Sequence, residues 1–164
     1  DTDRSRGLGD VYKRQICSIM IALFFGMLPE CLFFFLLFIP MRSYGGGLHM
    51  KTYFACFIGS CFILTFSLLA VKYLTISIPI SFALYLFAAI LILVIGPVDH
   101  PNREVDAQEN RTFIKRTYFT MLISFFLALF FIFTQNTRYM FLQAIVFVFI
   151  SATSLIGRLI YKQT

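Results

Sequence analysis

Five long apolar segments restrict what this chain can fold into. They span residues 16–41, 54–71, 78–95, 118–134 and 139–157. A helix needs roughly 20 residues to cross a hydrocarbon core of about 30 Å, and these segments are of that order. Hydrophobic residues make up 59% of the 164 positions and charged residues only 13%, which is too apolar for a soluble domain of this size. The sequence predicts an all-α, polytopic transmembrane helical bundle with about five to six membrane segments.

The first apolar segment contains a proline and a carboxylate, Pro29 and Glu30. It is therefore either one long tilted span or two short elements that meet at a kink. A carboxylate at this depth needs a partner or an aqueous cavity. We interpret Glu30 as an interfacial residue at a helical hairpin in preference to a catalytic group.

Residues 1–15 differ from everything that follows. They are charged and lack apolar periodicity, so they resemble neither a signal peptide nor a helix. They look like translated adapter sequence, and we interpret them as a non-native leader. Residues 16–164 are expected to form a single integral membrane domain.

The basic residues are distributed unequally between the two sides of the predicted bundle. If the last four segments each cross once, one side holds Arg42, Lys51, Arg103, Arg111, Lys115, Arg116, Arg158 and Lys162. The opposite side holds Lys72 and Arg138. The positive-inside rule then places the more basic side, with the loop that contains His49, in the cytoplasm.

One connecting stretch combines groups that can carry out chemistry. Arg42 is followed by the glycines Gly45, Gly46 and Gly47, then by His49 and Cys56. An imidazole can take the proton of a thiol and hold the nucleophilic thiolate as an ion pair. On one continuous helix, residues seven apart are separated by about 10 Å along the axis, too far for proton transfer. The chain must therefore bend back, which a glycine run permits.

Other interpretations of these residues stay open on spacing alone. A boundary histidine and a buried apolar cysteine are common structural features. Cys61 is a second candidate thiol, but Cys56 is nearer the aqueous boundary. A metal site is disfavoured because His49, Cys56, Cys61 and His100 lack the paired spacing of zinc ligands. We expect no metal, no cofactor and no nucleic-acid partner.

Two blocks of this sequence resemble the accessory gene regulator B family. The first is Arg42, the pattern Gly46-Gly47-x-His49, Cys56 and Ser60; the second is GPVDHPNRE at residues 96–104. The hydropathy profile is also similar from residue 16 onward. The resemblance implies an enzyme of the bacterial cell membrane that processes a small precursor peptide in quorum sensing.

The resemblance further implies a role for individual residues. His49 and Cys56 fall on the family's catalytic pair, and Arg42 and Gly47 on positions near its active site. Further supporting or substrate-binding positions are Gly46, Ser60, Lys115 and Arg116. The implied reaction removes the C-terminal tail of an autoinducer precursor through an acyl-thioester and promotes thiolactone formation.

The expected partners are the precursor peptide and the lipid bilayer, and a homodimer stays open. The alternative function is a non-catalytic membrane peptide exporter or assembly partner. Transport that survives loss of both His49 and Cys56 is the property that distinguishes this alternative from the peptidase.

Overall fold

The computed structural model describes the backbone of residues 16–45, 53–96 and 107–162. Side chains are described for residues 16–41, 57–96 and 111–159, apart from Phe113. Within this part of the chain every regular element is a helix. The six helices are α1 (Ile16–Phe25), α2 (Leu28–Gly45), α3 (Tyr53–Tyr73), α4 (Ile78–Ile95), α5 (Ala107–Phe133) and α6 (Thr137–Lys162). The predicted all-α bundle is confirmed.

The first apolar segment is a hairpin of two helices, α1 and α2. The chain turns at Gly26, whose φ of 67° lies in the left-handed region that favours glycine. The amide of Met27 donates to the carbonyl of Ala22 at 2.8 Å, which closes the turn. The thiol of Cys31 lies 3.8 Å from the carbonyl oxygen of Ser18, as expected for two antiparallel helices. Of the two alternatives for this segment, the pair of short elements is therefore correct.

Helix α6 is the centre of the bundle. It contacts α2, α3, α4 and α5, and 61% of its apolar span is buried, against 22% for α5. The rings of Tyr85 in α4 and Phe147 in α6 are 4.8 Å apart, and those of Phe66 in α3 and Phe149 in α6 are 5.7 Å apart. Together with the contacts at the helix ends, these pairs show that α6 runs parallel to α4 and antiparallel to α3.

The bundle therefore has two ends with different connections. At the end that we call the hairpin end lie the α1–α2 turn, the connection from α3 to α4 and the connection from α5 to α6. Three contacts fix this arrangement: Lys72 with Phe25, Glu30 with Arg138, and Arg158 with Ile95 at the other end. At that other end, the loop end, α2, α4 and α6 finish and α3 and α5 begin.

In the part of the chain that the structure describes, three helices are long and apolar enough to cross a membrane. They are α4 over its whole length, α5 over Ile114–Phe133 and α6 over Thr137–Leu159. Shorter apolar stretches occupy α1, α2 and α3. Helix α5 begins at Ala107, well before the predicted segment at residue 118, because its polar N-terminal part is helical too.

A buried hydrogen-bonded group joins α4, α5 and α6. Gln143 Nε2 in α6 donates to the carbonyl oxygen of Ser124 at 2.7 Å and to its Oγ at 2.8 Å. Ser124 Oγ in α5 donates to the hydroxyl of Tyr85 in α4 at 3.1 Å. Hydrocarbon offers polar groups no partners, so bonds of this kind hold helices in one register.

Candidate functional site

The predicted catalytic stretch coincides only in part with the described structure. Gly46, Gly47 and His49 lie outside the described residues. Arg42 is in the last turn of α2 and Cys56 is in the first turn of α3. For these two residues the structure describes the backbone, which is helical, but not the side chain. The contact between His49 and Cys56 therefore stays a prediction.

The backbone of α2 and α3 meets the geometric requirement of that prediction. The two helices run in opposite directions, and the C-terminus of α2 and the N-terminus of α3 are both at the loop end. Arg42 and Cys56 thus belong to separate helices that run in opposite directions. A contact between His49 and Cys56 requires such a reversal and stays a prediction.

Ser60 and Cys61 follow Cys56 within α3. Ser60 is four residues beyond Cys56, so the two positions share one face of the helix. Cys61 is five residues beyond and faces a different direction. Both side chains are half-buried. Ser60 therefore shares the Cys56 face of α3, whereas Cys61 does not.

Basic side chains lie in the N-terminal part of α5, just before its apolar span and in the first turn of that span. Arg111, Lys115 and Arg116 are exposed at the loop end. Arg111 and Lys115 are four residues apart and lie on one helix face. The carbonyl oxygen of Arg116 accepts a hydrogen bond from Thr120 Oγ1 at 2.9 Å, within the helix. This part of α5 presents positive charge at the end where α3 begins.

Arg158, also at the loop end, has a structural contact. Its Nη1 donates to the carbonyl oxygen of Ile95 at 3.0 Å and lies 3.5 Å from that of Val94. These carbonyls are at the C-terminus of α4, where a cation is favourable for the helix dipole. Arg158 therefore connects α6 to the end of α4.

Glu30 is held at the opposite end of the molecule. Its Oε1 is 3.0 Å from Nε of Arg138, and its side chain is only 7% exposed. Glu30 opens α2 whereas Arg42 is near its end, so the two are about 18 Å apart along the axis. The structure places Glu30 at a helical hairpin, as interpreted, at the opposite end of α2 from Arg42. Its position at the membrane interface stays a prediction.

Sequence reasoning missed a pocket at the hairpin end. It has a volume of about 340 Å³ and lies between the α3–α4 connection and the start of α6. Lys72 and Arg138 both line it. The sequence does assign both residues to this side of the bundle, as its basic residues. No sequence pattern around either residue indicates that the two share one pocket.

Among the described residues, no group of three or more histidine, cysteine, aspartate or glutamate side chains is arranged to hold a metal ion. The expected absence of a metal remains a prediction, and His49 and His100 lie outside the described residues.

The model of the family described as accessory gene regulator B matches residues 12–156. No curated protein and no solved structure gives a significant match. The matched range contains both blocks of the resemblance and all of the predicted site positions.

Proposed function

Because the chain belongs to the accessory gene regulator B family, which processes autoinducer precursor peptides in quorum sensing, we propose that it is a membrane cysteine endopeptidase. The observation that carries this proposal is the family match over residues 12–156, which contains His49 and Cys56 seven positions apart after a glycine run. The antiparallel arrangement of α2 and α3 supports it, since it allows that pair to meet.

The first step forms a covalent intermediate. The Cys56 thiolate attacks the carbonyl carbon of the precursor bond, and the C–N bond breaks. His49, protonated when it took the thiol proton, gives that proton to the departing amine of the tail. The products are the free C-terminal tail and an acyl-thioester on Cys56.

The second step closes the ring. A thiol inside the precursor attacks the thioester carbonyl, His49 accepts its proton, and the Cys56 thiolate leaves. One thioester replaces another, so this exchange is nearly neutral in free energy. It conserves the activated acyl group only if water is excluded, which a site at the membrane boundary favours. Formation of the thioester from an amide is the uphill step, and removal of the released tail draws it forward.

Stabilisation of the tetrahedral intermediate requires hydrogen-bond donors near Cys56. The backbone amides of Gly46 and Gly47 and the guanidinium of Arg42 are the candidates. Ser60 shares the Cys56 face of α3 and is a supporting residue in this proposal. No cofactor takes part.

The charge distribution supports a cytoplasmic site in a multi-pass protein of the bacterial cell membrane. Arg111, Lys115 and Arg116 are exposed at the loop end, and the positive-inside rule assigns this end to the cytoplasm. Positive charge attracts an acidic precursor tail and anionic lipid. In the proposal Lys115 and Arg116 contact the tail, whereas Arg158 has a packing role at the end of α4. A homodimer is compatible with this scheme but is not required by it.

The test uses purified protein in proteoliposomes with the short precursor encoded next to its gene, and mass spectrometry of the products. The wild type should release the tail and form the thiolactone, and Cys56→Ser and His49→Ala should not. Cys61→Ser, five residues further along the same helix, is the matched control and should keep activity. Tail release by Cys56→Ser would contradict the covalent mechanism. Peptide transport without cleavage by all variants would favour the exporter.

A further inference from the structure

The pocket at the hairpin end lies across the bundle from the predicted peptidase site. Its rim carries two cations and two hydroxyls, from Lys72, Arg138, Thr75 and Thr137, all exposed. Its floor is apolar and includes the buried side chains of Val71 and Phe141. A charged rim above an apolar floor suits a ligand with one anionic part and one hydrocarbon part.

Both cations are held in place by neighbours. Lys72 Nζ donates to the carbonyl oxygen of Phe25 at 3.3 Å and lies 5.7 Å from the centre of the Phe25 ring. Arg138 Nε donates to Glu30 Oε1 at 3.0 Å. An ammonium has three donors and a guanidinium five, so each of these contacts leaves further donors on a positioned group. Glu30, which is not a lining residue, offsets one of the two positive charges, so the pocket keeps a positive excess.

Two helix N-termini add to the positive potential. Thr137 and Arg138 are the first two residues of α6, and α4 begins at Ile78, shortly after the lining residue Ile76. The N-terminal end of a helix carries partial positive charge and backbone N–H groups that favour anions. Helix ends and side-chain cations therefore act in the same direction here.

The pocket lies next to the ends of two apolar spans, where the headgroups of a surrounding bilayer are expected. The apolar spans of α4 and α6 begin at Ile78 and Thr137, next to the rim. Tyr73, beside Lys72, is 74% exposed, and tyrosines are enriched at the membrane–water boundary. A phosphate at the rim would lie in the headgroup layer, and the first carbons of its acyl chains would reach Val71 and Phe141.

We propose that this pocket binds the phosphodiester headgroup of an anionic phospholipid such as phosphatidylglycerol. The phosphate accepts hydrogen bonds from Lys72, Arg138 and the two threonine hydroxyls. The bound lipid joins the α3–α4 connection to the start of α6. If the two cations had only a structural role, each binding its protein partner, the two threonines would have no influence on lipid retention.

Native mass spectrometry of the protein released from detergent micelles tests this, with equal amounts of phosphatidylglycerol and phosphatidylcholine added. The wild type should retain phosphatidylglycerol in several-fold excess. Lys72→Met should lower that retention about fivefold, the effect of one basic side chain near a lipid surface. The double variant Thr75→Val with Thr137→Val leaves both ion contacts intact and should also lower it. Arg158→Gln, which removes a cation at the loop end, is the matched control and should not.

The threonine variant keeps the test informative if Lys72→Met fails to fold. Equal retention of the two lipids by the wild type, or an equal loss in Arg158→Gln and Lys72→Met, would overturn the proposal. A further arm adds sn-glycerol 1-phosphate, which has the headgroup chemistry without acyl chains. Displacement of the lipid by this soluble anion at an equal concentration would show a phosphate site rather than a lipid site.

Discussion

The two ends of the bundle use their charges in different ways. At the hairpin end, Glu30 is buried against Arg138 and Lys72 bonds to the last carbonyl of α1, so charge holds helices together. At the loop end, Lys115 and Arg116 are exposed in the first turn of the apolar span of α5, which begins at Ile114. Charge at the hairpin end joins helices, and the loop end combines one such contact, from Arg158, with exposed basic side chains. We therefore expect loss of the Glu30–Arg138 pair to affect stability, and changes in the proposed peptide site at the loop end to affect chemistry.

The largest expected effect tests the chemical role of the loop end. His49→Ala should lower the rate of tail release about 10²- to 10⁴-fold, because it removes the general acid–base group. Its unfolding midpoint in detergent should match that of the wild type. Product formation by mass spectrometry and unfolding by circular dichroism measure the two quantities. A loss of stability as large as the loss of rate would show that His49 has a structural role instead.

The next effect concerns the ion pair at the hairpin end. Arg138→Gln leaves the buried carboxylate of Glu30 without its partner and should lower the free energy of unfolding by about 2 kcal/mol. The value is below that of a fully buried pair because the Arg138 side chain is 49% exposed. The double variant with Glu30→Gln should recover part of the loss. Denaturant titration in micelles measures both, and a double variant less stable than Arg138→Gln would contradict this account.

A smaller effect is expected at the α1–α2 turn. Gly26→Ala forces a side chain into a positive-φ conformation and should cost about 1 kcal/mol. Gly59→Ala, within helix α3, is the matched control. A Cβ at either position has open space, so only the backbone differs, and Gly59→Ala should be neutral or slightly stabilising. Equal effects of the two substitutions would show that the turn is not under this constraint.

The smallest expected effect compares two cations of the loop end, one with a packing role and one with a proposed role in peptide binding. Arg158→Gln removes a hydrogen bond to the end of α4 and should cost about 0.5 kcal/mol with little change in tail release. Lys115→Gln should do the reverse, with unchanged stability and weaker binding of an acidic precursor tail, seen as a higher KM. If Arg158→Gln raises KM as much as Lys115→Gln, the two cations belong to one peptide site.

The bounds of a helix were predicted well where its sequence is apolar throughout. Helix α4 has the predicted bounds, residues 78–95, because polar residues and a glycine limit an uninterrupted apolar run. Helix α5 begins earlier than predicted, because AQENRTFIKR combines good helix formers without glycine or proline but has no hydrophobic signal. Hydropathy marks the part of a helix that meets lipid and not the part that extends beyond it.

The functional residues also fall into those that the sequence predicts and those that it does not. The reactive residue types and their order could be read from the chain, including the need for a bend between Arg42 and Cys56. The pairing of Glu30 with Arg138 could not, since these residues are far apart in sequence and no local pattern relates them. The pocket formed by the α3–α4 connection and the start of α6 was missed for the same reason.

The sequence by itself determined the helical membrane bundle, the uneven distribution of basic residues and the candidate chemistry at His49 and Cys56. These follow from composition, hydrophobic runs and short motifs, which are local properties of the chain. Only the tertiary structure decided that the first segment is a hairpin, that α6 is central and that Lys72 and Arg138 share a pocket. Those features depend on which helix faces meet, and helix packing is set by contacts between residues distant in the sequence.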